Sequence, residues 1–301
     1  MWSSPPSLCT GDTAELVATV KSMNPDMTAA TVVTTHQSES VFLVKGQAGE
    51  APMKISVAIS AFEAQGRGQE FIAWSLGKLS GQVLPPGDSL EVVVSDHSAD
   101  DAVRRAVAEF ADRLTVTYVR NERDRGNMSA NINNAIAHCT GDVVKILFQD
   151  DYLEGQGALA ALVKPFDDPR CVWSVSTYDH THDRVTRSAR HHPTFDGDLM
   201  RLATGFNGIG SPSCVAFRRL AVDQAFDPEV NYFMDCEWYA RMLHRYGPPT
   251  VVRDTHVVTL FHPQQMTHSV NSDGQVALES AYVRTKHEGM ESSAGRSTAF
   301  Q

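Results

Sequence analysis

Short β-rich runs alternating with helical periodicities over 301 residues predict an α/β fold built on a mainly parallel central sheet flanked by helices. Three observations carry this expectation. Residues 54–60 (KISVAIS), 91–96 (EVVVSD), 115–119 (TVTYV) and 143–148 (VVKILF) are short runs rich in apolar and β-branched residues. Between them, residues 70–79, 100–114 and 129–138 place apolar side chains at helical spacing. The runs starting at 91 and 143 lead into acids, Asp96 and then Asp150 and Asp151, and in parallel sheets ligands bind beyond the carboxyl ends of the strands.

Taken in order, residues 1–52 differ in character from the remainder of the chain and read as an amino-terminal extension of unknown role. Pro5, Pro6 and Gly11 break its start, 14–23 suits a short helix, 31–44 suits one or two strands, and 46–52 (GQAGEAP) is linker-like. The working domain is expected over 53–270 and a polar tail over 271–301. Phe71, Trp74 and Leu79 mark the helix of 70–79. Val103, Ala106, Val107 and Phe110 share a face in 100–114, and Gly141 is expected to stop the helix of 129–138. Beyond Asp151 the regularity loosens. A helix over 157–163 and a strand over 171–177 precede a stretch, 178–210, rich in His, Arg and Gly, which reads as an excursion over the site. A strand over 213–219, a helix over 235–246 closed by Gly247-Pro248-Pro249, and two late strands, 250–253 and 256–261, complete the pattern.

Composition narrows the function. A formal charge of -10, from 36 acidic and 26 basic residues, argues against non-specific binding to nucleic acid or an anionic membrane. The five cysteines are odd in number, widely spaced and without a CxxC pair, so neither a disulfide framework nor a zinc site is expected. The amino terminus lacks the basic start and apolar stretch of a signal peptide, and no run approaches the ~20 apolar residues of a membrane span. A soluble, cytoplasmic protein is the expectation.

Asp150 and Asp151 end a buried-looking strand, and two adjacent anions repel unless something positive lies beside them. A divalent cation held by one or two carboxylates and a substrate's phosphates is one answer, and an Asp-Asp turn is the other. Six segments in order, KISVAISAFE, VVVSD, NERDRGNMSANINNAIAHCTGD, ILFQDD, MDCEWYARM and FHPQQMTHS, resemble the family 2 glycosyltransferases of the GT-A fold, over residues 54–269. The resemblance implies an inverting transferase that moves a sugar from a nucleoside diphosphate donor to a hydroxyl on a glycan, a lipid-linked or a small-molecule acceptor. It implies that Ser60 and Phe62 lie against the base and that Asp96 accepts a hydrogen bond from it, as uracil recognition requires, which favours a UDP-sugar. Gly126 and Asn131 match the loop and helix beside the donor. Asp150 would meet the ribose or a metal-bound water, Asp151 with His262 would meet Mn²⁺ or Mg²⁺, and Asp235 would be the general base. Two positions depart from the family pattern: Gln149 and Met234 each replace the first acid of a pair.

The residues alone leave other readings open. Asp96 in SDHS suits a turn cap, and Asp235 suits the amino end of a helix. Glu237 suits either a substitute base or a partner for Arg241 four residues on. His262 is equally at home as a structural residue. The HxH and Asp of residues 180–183 suggest zinc only superficially, because no second ligand pair follows; Arg184, Arg187 and Arg190 there read as charge for an anionic acceptor. Two rival functions remain. Gly66, Arg67 and Gly68 after the first strand hint at a sugar-phosphate nucleotidyltransferase, and Gln149 and Met234 hint at a nucleotide-sugar-binding module without turnover.

Overall fold

The computed structural model describes residues 30–33, 42–45, 52–188, 190–265 and 273–288. The helix expected over 14–23 and His268 lie outside them. The chain divides into two compact units, Met1–Ala51 and Pro52–Gln301. In the first, β1 (Ala30–Val33) pairs antiparallel with β2 (Phe42–Lys45).

The second unit is built on a sheet that contains, among the described residues, eight strands. Its parallel half runs β5 (Thr115–Arg120), β4 (Ser89–Asp96), β3 (Lys54–Ala61), β6 (Val143–Ile146). β9 (Val215–Arg218) then pairs antiparallel with both β6 and β8 (Trp173–Thr181). β8 pairs parallel with β10 (Thr250–Leu260), and β10 pairs antiparallel with β7 (Tyr152–Leu153) at the edge. The central strands β3 and β6 are buried on both faces because helices cover both, as parallel sheets require, while the edge strand β5 alternates exposed and half-buried residues. Ile55, Val57 and Ile59 of β3 point to a core shared with α1 (Gly68–Leu79), α2 (Ala102–Ala108) and α4 (Ala158–Val163). Ala58, Val144 and Ile146 point to the opposite core, shared with α3 (Met128–Ala137), α5 (Leu199–Ala203) and α6 (Met234–Tyr246).

Lys145, inside the apolar β6, is fully buried and donates to the carbonyls of Ile146, Ser213 and Val215. Burial lowers its pKa to about 8. The lysine therefore stitches β6 to the turn that leads into β9, where the sheet changes from parallel to antiparallel. Gly141 is needed for clearance rather than as a helix stop: a Cβ there would lie 2.6 Å from Ser56 Oγ and 2.7 Å from the Lys54 carbonyl.

Four expectations change. The helix expected over 100–114 ends at Ala108 and continues as turns, although Val103, Ala106, Val107 and Phe110 are all buried as their spacing implied. The stretch 178–210 is not wholly irregular, since β8 runs on to Thr181 and α5 lies within it. The two late strands are one, β10, with a register shift between Val252 and Val257. The segment read as a polar tail from 271 contains α7 (Asp273–Lys286), docked by Glu279, which is buried, and by ion pairs from Lys286. No helix among the described residues is long and apolar enough to cross a membrane.

Glu237 on α6 sits at this junction, fully buried, with Arg241, Lys286 and His287 on its carboxylate. Burial would raise its pKa, but hydrogen bonds from His287, Arg241 and Lys286 prevail and hold it down to about 2. A depressed carboxylate stabilises the fold above its unfolded pKa of 4.5, and that stabilisation is lost as the pH falls toward 2. Glu237→Gln is expected to cost about 3 kcal/mol at neutral pH and to flatten the acid side of the stability curve, read by urea unfolding across pH.

Candidate active site

The carboxyl ends of β3, β4 and β6 open onto a cleft of about 460 Å³. Asp150 and Asp151 line it, and they follow β6 because the chain turns there: the Asp151 N–H donates to the Phe148 carbonyl at 3.1 Å before β7 begins. Asp151 is almost fully buried. Its carboxylate accepts from the Leu260 N–H at 3.1 Å and from the Ser211 hydroxyl at 3.4 Å. Burial first, and the Asp150 charge second, push its pKa well above the ordinary carboxylate value. Asp150 bonds His262 Nε2 at 2.8 Å. His262, packed on Phe71, thus reaches the site through Asp150.

Asp235 reaches the same cleft from the first turn of α6. Asn207 Nδ2 donates to its Oδ2 at 2.7 Å, while the Cys236 N–H donates to Oδ1 at 2.8 Å. Burial raises its pKa, and these two donors oppose the rise. Asn207 is itself held, its Oδ1 accepting the N–H groups of Ile209 and Gly210. Met234, the neighbour that replaces an acid, is buried against the cleft. Glu237 points away into the ion cluster at the α6–α7 junction, so the base role left open for it has no support.

Of the donor-side residues, Ser60, Phe62, Gly126 and Asn131 line the cleft. The Phe62 N–H donates to Gln149 Oε1 at 3.0 Å, so the glutamine that replaces an acid ties β3 to the end of β6. Asn131 donates to the Ala61 carbonyl at 3.0 Å and accepts from the Ser95 hydroxyl at 2.7 Å. Gly126 has φ +86°, a backbone region costly for other residues, with open space where a Cβ would project. Asp96 is the exception. It is fully buried beneath the cleft, where Oδ1 closes a turn on the Ser98 N–H at 2.8 Å and Oδ2 takes the Tyr118 hydroxyl at 2.7 Å. The turn-cap reading describes this geometry.

Sequence reasoning missed several cleft residues. His97, next to Asp96, lines the cleft with Nε2 buried and without a hydrogen-bond partner. Ser211, Thr259 and Phe261 also line it, as does His180, the first histidine of the HxH already singled out in the excursion over the site. Burial, then His191 and His182, lower the His180 pKa to about 4. Asp183 closes a turn on the N–H groups of Val185 and Thr186. Arg184 pairs with Glu70 and lies over Trp74, and Arg187 pairs with Glu154 over Tyr152; neither lines the cleft, nor does Arg190. The charge expected for an anionic acceptor is therefore directed elsewhere. Arg67, the hint of a nucleotidyltransferase loop, pairs with Glu70 on the surface.

Among the described residues, no three His, Cys, Asp or Glu side chains converge as a ready-made metal cage. What the cleft offers is two neighbouring carboxylates, one of them buried and strained electrostatically by the other. That donor set fits a hard cation whose remaining ligands are substrate phosphates and water.

The profile of glycosyl transferase family 2 matches residues 56–226. The uncharacterized protein MT1568 of Mycobacterium tuberculosis is 30% identical over 173 residues, 51% of this chain and 52% of its own. The chain thus spans about half the length of that curated relative. Among solved structures, S. aureus TarS 1-349 in complex with UDP superposes with a TM-score of 0.54 at 17% identity, over 78% of this chain and 72% of that one. The mannosyltransferase PcManGT of Pyrobaculum calidifontis, in complex with GDP-Man and Mn²⁺, gives 0.50 at 16% identity, over 79% and 75%. These likenesses bear out the expected GT-A arrangement of sheet and helices.

Removing the Asn207 amide withdraws a donor that favours the charged form of Asp235. Asn207→Ala is expected to raise the Asp235 pKa further, read from the carboxyl ¹³C shift across a pH titration.

Proposed function

The chain belongs to glycosyl transferase family 2, and from that premise we propose that it is an inverting, divalent-metal-dependent enzyme that moves a sugar from a nucleoside diphosphate donor, a UDP-sugar, to an acceptor hydroxyl. The observation that carries this reading is that Asp235 and the Asp150–Asp151 pair, far apart in sequence, line one cleft with the donor-side residues Ser60, Phe62 and Asn131. The likeness to a UDP-bound structure supports uridine; the GDP-Man complex of the other neighbour makes guanosine the alternative to test.

In this reading, Asp235 takes the proton from the acceptor hydroxyl as that oxygen attacks the anomeric carbon from the face opposite the leaving diphosphate. Its elevated proton affinity suits a carboxylate to that task, and Asn207 keeps the accepting oxygen oriented. Asp151 and Asp150 would hold Mn²⁺ or Mg²⁺, which when bound neutralises charge on the departing diphosphate. His262 fixes the rotamer of Asp150 from below. Phe62 and His97 stand at the donor end, where an aromatic face and an unpaired ring nitrogen suit a nucleoside.

Two measurements test the proposal. UDP with Mn²⁺ is expected to raise the melting temperature more than GDP or dTDP with Mn²⁺, and more than UDP with chelator, since a ligand stabilises the state it binds. No shift with any nucleoside diphosphate and any divalent ion would remove the transferase reading. In a panel of UDP-N-acetylglucosamine, UDP-glucose and GDP-mannose, with water or sugar alcohols as acceptors, Asp235→Asn is expected to lower nucleotide release by roughly 10²–10⁴-fold while leaving the UDP-induced thermal shift intact.

A further inference from the structure

The helix that bears Asp235 begins without a cap of its own. Phe233 occupies the N-cap position of α6, and its side chain offers no hydrogen bond to the first turn. The N–H groups at a helix start have no partner within the helix, and a negative charge placed there is favourable. The acceptor at the entrance to α6 comes from α7. One carboxylate oxygen of Glu279, Oε2, accepts the N–H groups of Asn231 at 3.1 Å, Tyr232 at 2.7 Å and Phe233 at 3.2 Å, the three residues immediately before α6. Gln275 holds its other oxygen, Oε1, at 3.3 Å, and the side chain is 5% exposed.

The segment gripped by Glu279 is gripped on its other side by the donor half of the cleft. Asn231 accepts from the Met128 N–H at 2.8 Å and donates to the Gly126 carbonyl at 3.3 Å, and the Ser129 hydroxyl donates to the Val230 carbonyl at 2.5 Å. Tyr232 and Met234, on either side of Phe233, line the cleft. Asp235 therefore follows directly from a backbone stretch whose position is set between α3 and α7.

Resting on the reading of Asp235 as general base, we infer that Glu279 is a positioning residue for the reaction: it fixes the start of α6, and with it the Asp235 carboxylate, relative to the donor. α7 is thereby part of the catalytic apparatus. A misplacement of about 1 Å suffices to cost on the order of 10²-fold in rate.

The test uses the full chain with Mn²⁺ and whichever donor of the UDP-N-acetylglucosamine, UDP-glucose and GDP-mannose panel the wild type turns over fastest. Glu279→Ala is expected to lower kcat on the order of 10²-fold with donor KM and the UDP-induced thermal shift unchanged. Glu279→Gln keeps an oxygen acceptor and is expected to recover most of the rate. Glu279→Asp, a methylene too short to reach, is not. In an Asp235→Asn background the loss caused by Glu279→Ala should vanish, because the effect runs through Asp235. A wild-type kcat in Glu279→Ala, or an undiminished loss in the Asp235→Asn background, overturns the inference. Should Glu279→Ala fail to fold, equal rates for the Gln and Asp variants overturn it. Full turnover by Asp235→Asn, or none by the wild type, overturns the functional reading beneath it. Inactive Asp235→Asn beside unaffected Glu279 variants overturns the positioning role alone.

Discussion

Two carboxylates side by side at the end of a buried strand repel one another, and the surrounding architecture is arranged to hold them there. Leu260, at the end of β10, and Ser211, just before β9, bind Asp151, while His262 binds Asp150. Below them the Lys145 ammonium lies among three carbonyls. The strand order explains why such distant segments meet. β6 and β7 are separated in the sheet by β9, β8 and β10, so the short stretch carrying the acids crosses over the ends of those strands. Four strand spacings in a flat sheet would be about 19 Å, and the turn at 148–151 makes the connecting chain shorter than its extended length. The sheet has to curl for the crossing to close, and the curl is what makes a cleft of its carboxyl edge.

Acids that look alike in the sequence occupy quite different environments. Asp96 is sealed by Ser98 and Tyr118, Glu237 is paired inside an ion cluster, and Asp151, buried, and Asp235, half-buried, line the cleft. Asp151 and Asp235 are pushed toward higher proton affinity, Asp151 by burial and then the Asp150 charge, Asp235 by burial against its donors, while Glu237 is held low by its partners. In the proposed reading, that division separates acids that hold the fold from acids that would serve a cation or a proton.

Much of this was legible in the residues. The parallel half of the sheet shows in its β-branched runs, and the helical spacing of Val103, Ala106, Val107 and Phe110 foretold a buried face. Asp150, Asp151 and Asp235 could be picked out because a family pattern surrounds them. The late strand was harder. Four residues of β10 stand against one of β8 between the pairs Val252–Ser176 and Val257–Tyr178, an odd excess that keeps both valines in the same core. Alternation counted along the sequence therefore falls out of phase and suggests two strands. Lys145 is hidden for a different reason: its partners are carbonyls, which leave no mark in side-chain chemistry. Asn207 and Glu279 act through backbone and single hydrogen bonds across long sequence separations, and polar residues in loops and on helices carry no periodic signal that would set them apart.

The clamp formed by Glu279 also has an order in time. A ribosome delivers the strands of the sheet, through Leu260, before it delivers residue 279. All the described strands of the layered core and the paired acids lie before residue 261, whereas the tether on the entrance to α6 waits for residue 279. If Asp235 is the base, a chain cut after the sheet would keep the paired acids and lose the tether that sets that carboxylate against them.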